Sequence, residues 1–275
     1  MWLALGLGLY IVIISISGSA VVFRGEITRW AIPREVPDAT GARAEGDVLA
    51  AAINDAYPDY EVVRFREGRF PQRPVNVLLS RDGEEEGRLF DPYALEDMGS
   101  DFPPIVAFVE WLVFLHDDLL VYGGGRQVNG ILGGLMIIVV ITGMIIWWPG
   151  KRWWKQSLYV PLSSRRKIWH LHSAIGFWLC LLLLNWGLTS LYFAFPGPVE
   201  DLRDWLDSDV TDFVRPGDGL LNFLVDAHFG RFGGVWGRMT WVIFGLAPAV
   251  LFLTGFWVWL QRRRRRAAAL ASQQP

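Results

Sequence analysis

Four apolar stretches, each long enough to cross a lipid bilayer, constrain this chain more than anything else in it. A helix needs roughly 20 mostly apolar residues to span the hydrocarbon core, and Trp2 to Phe23, Val128 to Trp148, Ile168 to Phe195 and Met239 to Leu260 each supply them. No water reaches that depth to pair with the backbone, so the stretches must satisfy their own N–H and C=O groups and are expected to be helices. The hydrophobic share of 52% over 275 residues sits largely in these blocks. Most of the 15 tryptophans flank them, where an amphipathic ring suits the headgroup level. The first stretch has no positive lead-in and a long apolar run, which reads as a retained helix, not a cleaved signal. The single cysteine, Cys180, lies inside the third stretch, so neither a disulfide framework nor a thiolate metal site is expected.

The polar segments divide the chain further. Residues 24–103 form a segment large enough for a small α+β module, with a helix at Gly46 to Ala56 and strands at Tyr60 to Phe65, Val75 to Ser80 and Gly87 to Phe90. It contains no histidine or cysteine, and its acids are spread as on a solvated face. Residues 104–127 read as an interfacial amphipathic helix and a glycine bend, leading into the second span at 128–148. The connector 149–167 is basic, 196–238 is acidic, and the tail 261–275 opens with Arg262 to Arg266. Lysine and arginine in short loops mark the cytoplasmic side, which puts both termini inside and the module outside, in the periplasm of a Gram-negative host. An arginine run directly after a span reads as a stop-transfer anchor, and no nucleic-acid partner is expected. The net charge of −2 decides little, because charge is partitioned by loop.

A unit occurs twice. His116 and His228 each precede an arginine, Arg126 and Arg238, by ten residues. Thr142-Gly143 and Thr254-Gly255 begin twenty-six residues after their histidine, and Trp147 and Trp259 follow at thirty-one. Glycines crowd the bend in both copies. This register predicts two equivalent helices presenting equivalent histidines.

Only four histidines occur, His116, His170, His172 and His228, all at the edges of spans. Ionisable groups there are expensive unless they serve a function. One reading makes them interfacial residues bonding to headgroups or backbone. The other makes them ligands. Zinc prefers several close protein ligands, whereas haem iron needs one or two axial imidazoles, which facing helices of a bundle supply. Gly176 lies one turn beyond His172 on the same face and leaves room for a macrocycle. His170 and His172 point to nearly opposite sides, so His172 is the stronger candidate and His170 the lesser. Arg126 and Arg238 either pair with propionates or snorkel to headgroups.

The pieces Ser17-Gly18, Phe90-Asp91-Pro92-Tyr93, Leu115-His116, Ile141-Thr142-Gly143 with Trp147-Trp148-Pro149, Leu171-His172 with Gly176, His228 with Gly230-Arg231-Phe232-Gly233-Gly234, and Leu253-Thr254-Gly255 with Trp257 occur in order between the spans. With them the chain resembles the PepSY-associated transmembrane family, which includes iron-regulated, ferric-siderophore-reductase-like members. The resemblance implies an all-α four-helix transmembrane bundle in the bacterial inner membrane, with an extracytoplasmic α+β PepSY-like domain inserted between helices 1 and 2. It implies one or two b-type haems held by membrane histidines, matched here by His116, His172 and His228, and electron transfer outward to ferric siderophores or iron chelates from an unnamed donor. On this reading His116 and His228 are the axial pair of an outer haem. The family's first helix usually opens with a histidine shortly before a Trp-Leu pair. Trp2-Leu3 is present here, but that histidine would fall before Met1. The expectation is a start upstream of Met1; an inner haem shared by His172 depends on it.

A reading from a different class is a non-enzymatic anchor, whose PepSY-like module binds or regulates an envelope protease or peptide. A permease for iron chelates would need a polar path, and Asn185 is the only strongly polar residue deep in a span. Small-residue runs in the first two spans permit a homodimer within the lipid bilayer.

Overall fold

The computed structural model describes residues 2–148, 150–152, 154–161, 167–206 and 216–271. Arg165 and Arg166 of the basic connector, and Asp207, Asp209 and Asp212 of the acidic one, lie outside the described residues. In chain order the elements are α1 (Trp2–Val21), α2 (Arg24–Ala31), α3 (Gly46–Ala56), β1 (Glu61–Arg66), β2 (Val75–Arg81), β3 (Glu84–Asp91), β4 (Glu96–Ser100), α4 (Pro104–Asp118), α5 (Gly125–Trp147), a 3₁₀ turn (Trp154–Ser157), α6 (Lys167–Ala194), α7 (Pro196–Leu206), α8 (Pro216–Phe229), α9 (Gly234–Gly245) and α10 (Ala247–Ala271). They form two compact units, one of Phe23–Trp111 and one of Met1–Val22 with Leu112–Pro275.

The smaller unit is a helix on an antiparallel sheet of order β1-β2-β3-β4. Alternation along β2 turns Val75, Val77 and Leu79 inward, where they meet Leu49 and Ile53, one turn apart on α3, together with Tyr57 and Phe90. The β2–β3 turn is two residues long. Asp82 and Gly83 both have positive φ, 55° and 83°, which matches a type I′ hairpin. The Asp91 carboxylate accepts from the Tyr93 and Ala94 amides at 2.8 and 3.1 Å and closes the turn after β3. Three strands were expected and four are present. β4, Glu-Asp-Met-Gly-Ser, has no apolar alternation to betray it. Its place is secured by Arg88 on β3, which pairs with Asp97, and by the Tyr57 hydroxyl, which donates to Asp97 Oδ1 at 2.5 Å. Burial alone would push the Asp97 carboxyl up; the Arg88 and Tyr57 hydrogen bonds outweigh it and hold the group below the usual carboxylate range.

The larger unit carries the spans. Among the described residues, Gly125–Trp147, Lys167–Ala194 and Gly234–Arg265 are long and apolar enough to cross a membrane, and α1 taken with α2 as a bent pair makes a fourth. Ile138, Ile145, Leu181 and Ile243 are exposed in the unit itself, as lipid-facing side chains are. α5 and α6 approach closely through small residues. A Cβ on Gly187 would meet Ile137 Cγ1 at 2.6 Å and the Gly133 carbonyl oxygen at 2.9 Å, so only glycine permits the contact.

The fourth span was expected as one helix over Met239 to Leu260. It runs as one span over Gly234–Arg265, with the backbone ladder interrupted at Leu246 between α9 and α10. Pro248 has no amide proton and cannot continue the ladder. The Ser15 hydroxyl of α1 enters the gap: it donates to the Gly245 carbonyl at 2.5 Å and accepts from the Ala249 amide at 3.3 Å. These two groups would bond each other in an unbroken helix, so the serine replaces a turn of backbone pairing with its own oxygen.

Candidate functional site

His116 lies in the last turn of α4. The chain then reverses through Leu119 and Leu120, both left-handed with φ of 54° and 58°, and through Gly123 and Gly124. A leucine in that region costs on the order of 1–2 kcal/mol, so the bend must be held by other contacts. Asn129 on α5 supplies them. Its amide nitrogen donates to the carbonyls of His116 at 2.7 Å and Asp117 at 3.1 Å, which are orphan acceptors at the helix end. The Tyr10 hydroxyl of α1 donates in turn to Asn129 Oδ1 at 2.7 Å.

The second copy uses the same device with a different residue. Trp241 occupies the repeat position of Asn129, and its indole donates to the Ala227 carbonyl at 2.7 Å. The Trp186 indole donates to the His228 carbonyl at 3.2 Å. Both histidine-bearing segments are therefore pinned by the backbone before any ring contact is considered.

The rings share a second feature. His116 Nδ1 lies 3.2 Å from Ser17 Oγ of α1, His228 Nδ1 lies 2.6 Å from Thr189 Oγ1 of α6, and His172 Nδ1 lies 3.0 Å from Thr254 Oγ1 of α10. Ser17 and Thr189 are 2% and 1% exposed, so the hydroxyls meeting His116 and His228 are dry. Glycine follows the hydroxyl residue in two of the three. A Cβ on Gly18 would fall 2.6 Å from His116 Cε1, and one on Gly255 3.1 Å from His172 Cε1. His228 is instead flanked edge-on by Phe193, with ring centroids 5.2 Å apart.

His116 and His228 are brought together. Burial pushes the His228 imidazole down to about 3, and the charge of His116 adds to the shift, so the two rings lie within electrostatic reach and His228 is neutral at ordinary pH. His172, on α6, is held by Thr254 of α10. His170 makes no hydroxyl contact of this kind. It meets Trp169 edge-on at 4.9 Å, and its Nδ1 is buried without a hydrogen-bond partner. Gly176 faces α10, with Leu251 Cδ2 3.8 Å from where its Cβ would stand. Arg126 pairs with Asp118 at 3.0 Å and with Asp117 at 3.9 Å, half-exposed. Arg238 lies on α9.

Imidazoles anchored at Nδ1 fit ligation of a haem iron through Nε2. Among the described residues no three His, Cys, Asp or Glu side chains converge, so the donor set does not fit a closed structural zinc site. Sequence reasoning found the histidines but missed the roles of Thr189, Asn129, Trp186 and Trp241. Ser17-Gly18 and Thr254-Gly255 were visible as hydroxyl–glycine pairs; Thr189 carries no such local signal.

A family model described as the PepSY-associated TM region matches residues 1–211 and 203–262. No curated protein sequence matches the chain.

Proposed function

Because this chain belongs to the PepSY-associated TM region family, we propose that it is a haem-binding electron-transfer protein of the bacterial inner membrane that reduces ferric siderophores or related iron chelates outside it. The observation that carries the reading is that His116 and His228, equivalent residues of an internal repeat, each meet a buried hydroxyl at Nδ1, Ser17 at 3.2 Å and Thr189 at 2.6 Å. Bound haem supplies one-electron chemistry. The protein supplies the rest. His116 and His228 would hold the haem, and the capping bonds from Asn129 and Trp186 keep their backbones in place. His172 serves a second site with its own hydroxyl contact. Arg126, already tethered to Asp118, stands near the same helix end and offers its remaining N–H groups to a carboxylate such as a propionate. Reduction suits release of iron from oxygen-donor chelators, which hold Fe(II) more weakly than Fe(III).

The test is an absorption spectrum of the detergent-solubilised protein, expressed with ample haem, before and after dithionite. A Soret band that moves on reduction, with sharp α and β bands, is expected, and His228→Ala is expected to lose that low-spin signature. A colourless wild-type protein would overturn the reading in favour of a membrane-anchored module that binds an envelope peptide or protease. An unchanged spectrum in His228→Ala would remove that residue from the ligand set.

A further inference from the structure

Three hydroxyls touch three histidines, and each of the hydroxyls is already committed elsewhere. Ser17 Oγ lies 2.8 Å from the carbonyl of Ile13, Thr189 Oγ1 2.8 Å from that of Asn185, and Thr254 Oγ1 2.7 Å from that of Val250, each four residues back on its own helix. A hydroxyl has one proton, and a carbonyl can only accept. The proton therefore goes to the helix carbonyl, and the oxygen meets the imidazole as an acceptor. The ring nitrogen facing it must carry a hydrogen, and in all three cases that nitrogen is Nδ1. A hydroxyl that donates is polarised into a better acceptor, so the chain N–H···O–H···O=C is self-reinforcing.

We propose that Ser17, Thr189 and Thr254 are positioning residues that fix the tautomer of His116, His228 and His172, with the proton on Nδ1 and the lone pair on Nε2. Of the two neutral tautomers this is the one that presents Nε2 to a metal, and a hydrogen bond from Nδ1–H raises the basicity of Nε2. The structural half of the inference stands on hydrogen-bond geometry; its consequence for a cofactor rests on the haem reading above. His170 serves as the internal contrast, since its Nδ1 is buried without a hydrogen-bond partner.

The test uses the full chain with ¹⁵N-labelled histidine in detergent micelles. Ring nitrogen shifts in the haem-free protein are expected to report Nδ1–H for His116, His172 and His228. Thr189→Val and Thr254→Val keep the shape and remove the acceptor; each is expected to release its own histidine to a mixture of tautomers, and Thr189→Ser is expected to restore Nδ1–H. Haem retention is the second readout. Thr189→Val is expected to lose haem roughly tenfold more readily than wild type, with Thr189→Ser close to wild type. Wild-type rings in the Nε2–H form would overturn the proposal, as would valine variants that keep Nδ1–H. Equal retention in all variants would overturn the ligand-tuning role. A wild-type protein that takes up no haem would overturn the cofactor reading alone, since the nitrogen shifts still decide the tautomer. If one valine variant fails to fold, the other decides the same point independently.

Discussion

At the scale of single residues, the hydroxyl–glycine pair has value only where a ring lies against it. Thr142-Gly143 on α5 repeats the pattern of Thr254-Gly255, down to the back-bond from Thr142 Oγ1 to the Ile138 carbonyl at 2.8 Å, yet nothing lies within 4 Å of a Gly143 Cβ. The two repeats therefore predict opposite responses to the same substitution. Gly18→Ala forces His116 or its helix to move and is expected to cost about 1–3 kcal/mol, as overpacking does. Gly255→Ala crowds His172 less and is expected to cost less. Gly143→Ala is expected to stay within about 0.5 kcal/mol of wild type. Thermal unfolding of the detergent-solubilised variants checks the order; a Gly143→Ala change as large as that of Gly18→Ala would contradict it. His116 and His228 were legible because an internal repeat marks them, and His172 because Gly176 shares its face. Their partners were not, because Ser17 and Thr189 reach His116 and His228 from distant parts of the chain, and spacing arguments work only within one element.

At the scale of elements, the interrupted ladder of the fourth span shows how a proline is tolerated at membrane depth. Pro248 was visible in the sequence, but the compensation was not, since Ser15 lies on another helix 230 positions from Gly245. Ser15→Ala would leave the Ala249 amide and the Gly245 carbonyl facing an apolar gap, at a cost of about 1–3 kcal/mol. A Ser15→Ala protein as heat-stable as wild type would show that the two groups re-pair on their own. Strand β4 was hidden for a different reason. Its order comes from one charged pair and one tyrosine instead of an apolar face, and charges carry no period. The spans were legible because length and apolarity are local properties.

At the scale of the molecule, the two units answer to different solvents. The sheet unit depends in part on Asp97, which its hydrogen bonds from Arg88 and Tyr57 hold ionised. A depressed carboxylate stabilises the fold fully above its unfolded value of 3.8, and that contribution fades as pH falls through the lower folded value. Asp97→Asn is therefore expected to lower the stability of the sheet unit by about 1 kcal/mol near neutral pH, a modest figure because the pair is partly exposed. The difference from wild type should shrink as pH drops below about 4; a gap that persists there would mean that the charge is not its source. In the larger unit the contacts that hold His116, His172 and His228 are spaced unequally along the chain. Ser17 and His116 both belong to the first half, and Thr189 and His228 to the second. His172 alone waits for α10, because its partner Thr254 lies on that helix. During synthesis from the N-terminus, one lock can close while the ribosome is still working on the first half of the message, and another soon after His228 emerges. The last to close is the one that ties α6 to α10, so a ribosome that stalls before Thr254 leaves a protein with His116 and His228 seated and His172 unclaimed.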